Sequence, residues 1–178
     1  DMELSFVQVD DVIDVNERLL QRVFKEAIGI DIPLPIPRLT YQEAMDRFGS
    51  DKPDTRFGIE LVDISHLAKN SGFKVFTDAI DNGGSVRGIN AKDCGNFPRK
   101  QIDSLVEVGK TYGAKGIAWI AVNADGSLKS SFTKFLSEDM IAQILKTMDA
   151  QSGDLLLFCA DKNSVVYDAL GNLRLEIS

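Results

Sequence analysis

Two short apolar runs constrain this chain most. Leu155, Leu156, Leu157 and Phe158 follow Gly153 without a polar break, and Ile117 to Val122 form a second run around Trp119. Runs this short, bounded by turn residues, read as strands, because helices need roughly ten residues or more. Asn123-Ala124-Asp125-Gly126 closes the second run with a hairpin turn. Helical periodicities surround them. Asn96 to Gly113 reads as a helix with Pro98 near its first turn and Ile102, Leu105, Val106 and Val108 facing inward. Ser137 caps a helix carrying Met140, Ile141, Ile144, Leu145 and Met148, and Asp161 starts a last helix with Val165, Val166, Ala169 and Leu170. Phe73, Val75 and Phe76 open a further strand, and Asn82-Gly83-Gly84 supplies the positive-φ residues of a hairpin turn leading to Val86 and Ile89. Strands mixed with helices in this order give an α+β class.

The first part of the chain is built differently. Met2, Leu4 and Phe6 alternate with polar residues, the signature of a half-buried strand. Asp10 and Asp11 can cap a helix in which Val12, Val15, Leu19, Leu20, Val23, Phe24 and Ala27 recur at helical spacing until Gly29. Pro33, Pro35 and Pro37 then exclude a helix, since each removes a donor and biases its predecessor to extended backbone. Thr40 and Glu43 form a capping box for a short helix stopping at Gly49. Asp63 reads as the N-cap of a helix through Leu67 and Ala68, ending near Gly72. The face made by Val12, Leu19, Leu20 and Val23 is expected to dock on the rest of the chain or to drive self-association. Asp1 stands in mid-pattern with no initiator Met, so the chain reads as a segment of a longer protein.

Composition narrows the function classes. With 178 residues, 44% hydrophobic and 26% charged, the chain is of ordinary globular type, one core or one domain plus part of another. No stretch approaches the roughly 20 consecutive apolar residues that span a bilayer, and the opening has no basic secretory pattern. The net charge of −7 argues against tight autonomous binding to nucleic acid, which needs clustered cations. Cys94 and Cys159 are far apart and lack zinc-ligand spacing, so both read as reduced thiols of a cytoplasmic protein. No nucleophile–base or metal constellation is visible.

Two segments carry a family resemblance: Asp1-Met2-Glu3-Leu4-Ser5-Phe6 and Arg47-Phe48-Gly49-Ser50-Asp51-Lys52-Pro53-Asp54-Thr55-Arg56-Phe57. Together, at this spacing, they resemble bacterial-type aspartyl-tRNA synthetase, the first looking like the closing strand of class II motif 2. Gly72 to about Gln151 resembles the GAD domain inserted between motifs 2 and 3. The resemblance implies a partial catalytic-domain segment over 1–71, the GAD domain over 72–151 and a return segment over 152–178. It implies a two-layer sandwich with helices on one face of a mainly antiparallel sheet. For the parent it implies ATP-dependent attachment of aspartate to tRNA-Asp, with ATP and Mg, a homodimer and a cytoplasmic location. The chain alone is expected to be inactive, because the motif 2 loop Arg and motif 3 are not in it.

Several residues keep two readings. Asp1 aligns with the motif 2 aspartate that resembles a contact to the substrate ammonium, or it is an acid at a frayed terminus. Ser50 to Asp54 either approach the active site or tRNA acceptor end, or make local turn and ion-pair contacts at a domain junction. Lys92, Arg99 and Lys100, with Lys110 and Lys115 nearby in sequence, form a phosphate-facing patch or a solvated charged surface. As a segment of the synthetase that it resembles, the chain is expected to bind tRNA weakly or not at all. The alternative function is an autonomous tRNA- or protein-docking module related to the GAD domain of tRNA-dependent amidotransferases. His66 reads as a surface or cap residue, and Trp119, Phe132 and Phe135 as core.

Overall fold

A computed structural model describes residues 1–178, which divide into two compact units, Asp1–Leu39 and Thr40–Ser178. In the first, α1 (Val9–Ile28) starts two residues before Asp11, with Gln8 at its N-cap: the Gln8 N–H donates to the Asp11 carboxylate at 2.8 Å. Gly29, at φ 73°, ends it as expected. The proline-rich segment then returns along the helix. Gln21 donates to the Ile32 carbonyl at 2.7 Å, the Ile36 N–H donates to Glu17 at 3.3 Å, and Arg38 pairs with Asp10 at 2.6 Å. Glu17 is thereby the buried residue of the helix. The expected strand at Met2–Phe6 does not form. A strand needs a neighbour for its N–H and C=O groups, residues 1–8 pair with none, and Phe6 has φ 58°. Val12, Leu19, Leu20 and Val23 are exposed.

The second unit holds a five-stranded sheet in the order β1-β2-β5-β3-β4, every neighbouring pair antiparallel. Its strands are β1 (Val62–Asp63), β2 (Ser85–Ala91), β3 (Ala118–Val122), β4 (Leu128–Ser130) and β5 (Leu155–Asp161). Its helices are α2 (Tyr41–Phe48), α3 (Ser65–Ala68), α4 (Lys74–Asp81), α5 (Arg99–Thr111), α6 (Glu138–Thr147) and α7 (Asn163–Ile177). The apolar run Leu155–Phe158 becomes the central strand, between β2 and β3.

Side chains alternate across a strand, and both faces of β5 are buried. Leu155, Leu157 and Cys159 pack with Ile89, Trp119, Ile102 and Leu105 of one cluster, completed by Val166, Leu170 and Leu173 of α7. Leu156 and Phe158 pack with Ile64, Phe76, Phe132, Ile144 and Met148 of the other. The α+β class and antiparallel sheet are as read, but helices cover both faces, not one, giving three layers. Double coverage is the reason the run has no polar alternation.

Three local readings change. Phe73 to Phe76 do not open a strand: α4 takes residues 74–81, burying Phe76 while Phe73 and Ile80 pack at its edge, a spacing of three and four that fits a helix. Asn82-Gly83-Gly84 is accordingly the turn from helix to strand, with Gly83 at φ 77°. Asp63 is not an N-cap; α3 begins at Ser65, and the Asp63 carboxylate accepts the Ser65 N–H at 2.8 Å from two residues earlier. Phe135 is 48% exposed at a 3-10 turn, where its ring stacks on Phe73 at 5.5 Å instead of entering the core.

Candidate functional site

The segment from Arg47 to Glu60 is held at both ends. The Thr40 hydroxyl accepts the Glu43 N–H at 3.1 Å and starts α2, and Gly49 at φ 68° ends it. There α2 meets α7 at backbone distance. A Cβ on Gly49 would lie 2.4 Å from the Tyr167 carbonyl, and one on Gly171 would lie 2.8 Å from the Gly49 carbonyl. Only two glycines permit that approach.

Arg174 fastens the far end. It is 1% exposed, and its guanidinium lies between the rings of Phe48 and Phe57, 4.9 and 4.5 Å from their centroids. Nε donates to the Ile59 carbonyl at 2.7 Å and Nη2 to the Asp54 carbonyl at 2.9 Å. Burial lowers its pKa from the ordinary arginine value, opposed by the charges of Asp54 and Glu60. Arg47 reinforces the base of the loop. It grips Glu60 with two bonds of 2.9 and 2.7 Å and reaches Glu43 at 3.1 Å, and its hydrogen bonds hold the Glu60 carboxyl low. The Leu61 N–H closes the loop on the Arg47 carbonyl at 2.7 Å. Hydrogen bonds from Arg56 hold the Asp54 carboxyl at about 2.

Between these anchors Asp51 and Lys52 are exposed, and the one hydrogen bond at the tip runs from the Lys52 N–H to the Ser50 hydroxyl at 3.3 Å. Neither charge enters an ion pair. The loop is therefore fixed by Arg174 and Arg47, and not by Asp51 and Lys52. Beside the tip a cleft of about 530 Å³ is lined by Tyr41, Ser50, Asp51, Lys52, Asp168 and Asn172.

A second network ties α2 to the sheet. The Tyr167 hydroxyl donates to Asp46 at 2.6 Å, and Arg87 bridges Asp46 at 2.8 Å and Asp63 at 3.3 Å. The Tyr167 bond holds the Asp46 carboxyl below its usual range.

The cations singled out in the sequence go to different places. Lys92 donates to the Asp154 carboxylate at 3.0 Å and to the Asp149 carbonyl at 2.6 Å. Asp154 is 2% exposed and also accepts from Asn90 at 3.1 Å and the Gln151 N–H at 2.9 Å. Burial raises its pKa, but these bonds outweigh that and hold the carboxyl low. Arg99 pairs with Asp103 at 2.8 Å and covers the buried Trp119 ring at 5.2 Å. It lines a cleft of about 570 Å³ with Asn96 and Lys129, whereas Lys92 borders another with Glu60 and Cys94. Lys100 is exposed, as are Asp1 and His66. Burial pushes the Cys159 thiol up to about 12 and raises Cys94. No three His, Cys, Asp or Glu side chains come together as metal ligands.

The GAD domain family matches residues 76–170, more than half of the chain. The chain belongs to the GAD domain family. The matched GAD stretch runs from α4 into α7 and stops one turn before Arg174. Curated relatives match more widely. The Aspartate--tRNA(Asp/Asn) ligase of Lachnoclostridium phytofermentans is 64% identical over 178 residues, covering 100% of this chain and 30% of the relative. The Aspartate--tRNA ligase of Ruminiclostridium cellulolyticum is 60% identical with the same coverage. The Aspartate--tRNA(Asp/Asn) ligase of a Thermoanaerobacter species is 54% identical over 177 residues, 99% of this chain and 30% of the relative. The chain thus spans about 30% of the length of the curated relatives it matches, and the resemblance to bacterial-type aspartyl-tRNA synthetases is met over its whole length.

Arg174 and Asp154 were not singled out from the sequence. For Arg174 a signal existed: Val166, Leu170 and Arg174 are four residues apart on one helix face, so a lone cation continues an apolar stripe. Asp154, next to the apolar run, offered none, because its partners lie up to 64 residues away.

Proposed function

We propose that this chain is the GAD-bearing part of an aspartate–tRNA ligase. The parent would join the aspartate carboxylate to the α-phosphate of ATP, release pyrophosphate, and pass the aspartyl group to the terminal ribose of tRNA. The observation that carries this reading is 64% identity across the entire chain to a protein named for that reaction. In this scheme residues 1–71 belong to the catalytic domain, 72–151 are the GAD domain and 152–178 lead back. Asp1 would meet the substrate ammonium, and Lys92, Arg99 and Lys100 are the cations nearest in role to a tRNA contact. The parent would work as a cytoplasmic homodimer on tRNA-Asp. Magnesium would accompany ATP in the parent. Its ligands would come from outside these residues, and the chain alone is expected to give no pyrophosphate exchange.

The test is a chimera in which this chain replaces the matching segment of the Lachnoclostridium phytofermentans ligase. Aspartylation of tRNA-Asp within about tenfold of the parental rate supports the reading. A folded chimera that charges no tRNA overturns it.

A further inference from the structure

Arg174 lies beyond the GAD-matched residues, yet what it holds is a loop more than a hundred positions earlier in the chain. Burying a guanidinium away from water is costly, and apolar replacements of buried charges are often no less stable. Packing alone therefore gives no reason for an arginine between Phe48 and Phe57. What a guanidinium adds is direction. Its planar fork donates to two carbonyls five residues apart, Asp54 and Ile59, and so fixes the backbone path between them. With Gly49 seated on Gly171, the loop is clamped at both ends, by residues of the same helix.

The clamped tip presents charges with no partner. Next to it Arg56 and Asp54 satisfy each other, but Asp51 and Lys52 face the cleft of Tyr41, Asp168 and Asn172 unpaired. A rigid backbone displaying one free cation and one free carboxylate suits a ligand carrying a phosphate and a hydroxyl, because preorganised groups need no ordering when the ligand arrives.

We propose that Arg174 is a positioning residue for the ligase reaction: by fixing the loop at Asp54 and Ile59, it holds Lys52 toward a phosphate and Asp51 toward a ribose hydroxyl. This rests on the ligase reading above. The phosphate and ribose are those of a nucleotide, either ATP or the tRNA terminus.

The experiment is a double-mutant cycle in the active chimera, with Lys52→Ala, Arg174→Met and the pair. Pyrophosphate exchange with ATP and aspartate is measured beside aspartylation. Lys52→Ala should lower kcat/KM for aspartylation roughly tenfold to a hundredfold, the range for a charge-assisted bond. Arg174→Met should lower the same constant, and the pair should be no worse than about twofold below the more damaging single variant. Phe57→Leu, which removes one ring from the guanidinium and keeps its bonds, replaces Arg174→Met if that variant does not fold. A loss confined to aspartylation assigns the phosphate to tRNA, and a loss in exchange as well assigns it to ATP; both support the proposal. Losses that multiply, or a silent Lys52→Ala, overturn it while the active chimera leaves the ligase reading standing. An inactive unsubstituted chimera overturns the ligase reading itself.

Discussion

Asp154 is the polar residue on which the turn before β5 depends. Its Oδ2 accepts from Asn90, Lys92 and the Gln151 N–H, and its Oδ1 accepts from the Asp93 N–H at 3.3 Å. Truncation to alanine leaves the Gln151 and Asp93 N–H groups without acceptors, while Asn90 keeps the Met148 and Asp149 carbonyls at 3.1 Å and Lys92 keeps Asp149. Gln151 and Asp93 are exposed, so their freed N–H groups can turn to water, and each lost bond costs about 1 kcal/mol. Lys92 is half exposed, so loss of its ion pair adds little. The sum is about 2 kcal/mol for Asp154→Ala. Asp154→Asn can turn its oxygen toward the three-donor side and oppose its NH2 only to the Asp93 N–H, so it should cost about 1 kcal/mol. Equilibrium urea unfolding with an unchanged m value would read both losses. Asp154→Ala below about 1 kcal/mol, or Asp154→Asn costing more than Asp154→Ala, would refute the assignment of the energy to two backbone donors.

The remaining predictions concern the meeting of α2 with α7, the carboxyls and the cations. Gly49→Ala should destabilise by about 2–4 kcal/mol, combining a left-handed backbone with a clash against the Tyr167 carbonyl; a loss under about 1 kcal/mol in urea unfolding would contradict the close approach of α2 and α7. The carboxyls of Asp46, Glu60 and Asp154 are held low, so each is protonated more readily in the unfolded chain, and stability is lost as pH falls below about 4. Tyr167→Phe removes the main cause for Asp46 and should make stability fall less steeply with acid; an unchanged slope between about pH 4 and 2.5 would count against it. Filter binding of tRNA-Asp to the chain at two salt concentrations should show weak binding at most. Marked salt-sensitive binding abolished by the Lys92/Arg99/Lys100→Ala triple variant would show instead an RNA-binding module.

The legible parts of the fold were those with local causes. Thr40 and Ser137 cap their helices because a side-chain oxygen faces a nearby N–H, Gly29 and Gly49 stop helices by taking positive φ, and Asn123–Gly126 turns between β3 and β4. Leu155–Phe158 was legible as a strand, but four apolar letters do not say whether one face or two are covered. Phe73 to Ile80 misled because aromatic and β-branched residues before Gly83-Gly84 suit a hairpin, and burial of Phe76 against Phe132 and Phe158 decided for a helix. The loop from Arg47 to Glu60 was hardest to read. Asp51 and Lys52 stand next to each other in the resemblance-bearing segment, whereas the residue that fixes the loop comes from α7, and such pairings exist only after folding.

Hydrogen exchange at the Leu61 amide tests the central structural claim, that the Arg47–Glu60 loop forms one body with the GAD sheet. That amide donates to the Arg47 carbonyl at 2.7 Å across the base of the loop. Leu61 should be protected nearly as well as the Ile64 amide, which donates to the Val86 carbonyl at 2.9 Å, and should lose that protection selectively in Arg174→Met while β5 stays protected. A Leu61 amide that exchanges freely in the unsubstituted chain, or one indifferent to Arg174, would contradict that claim.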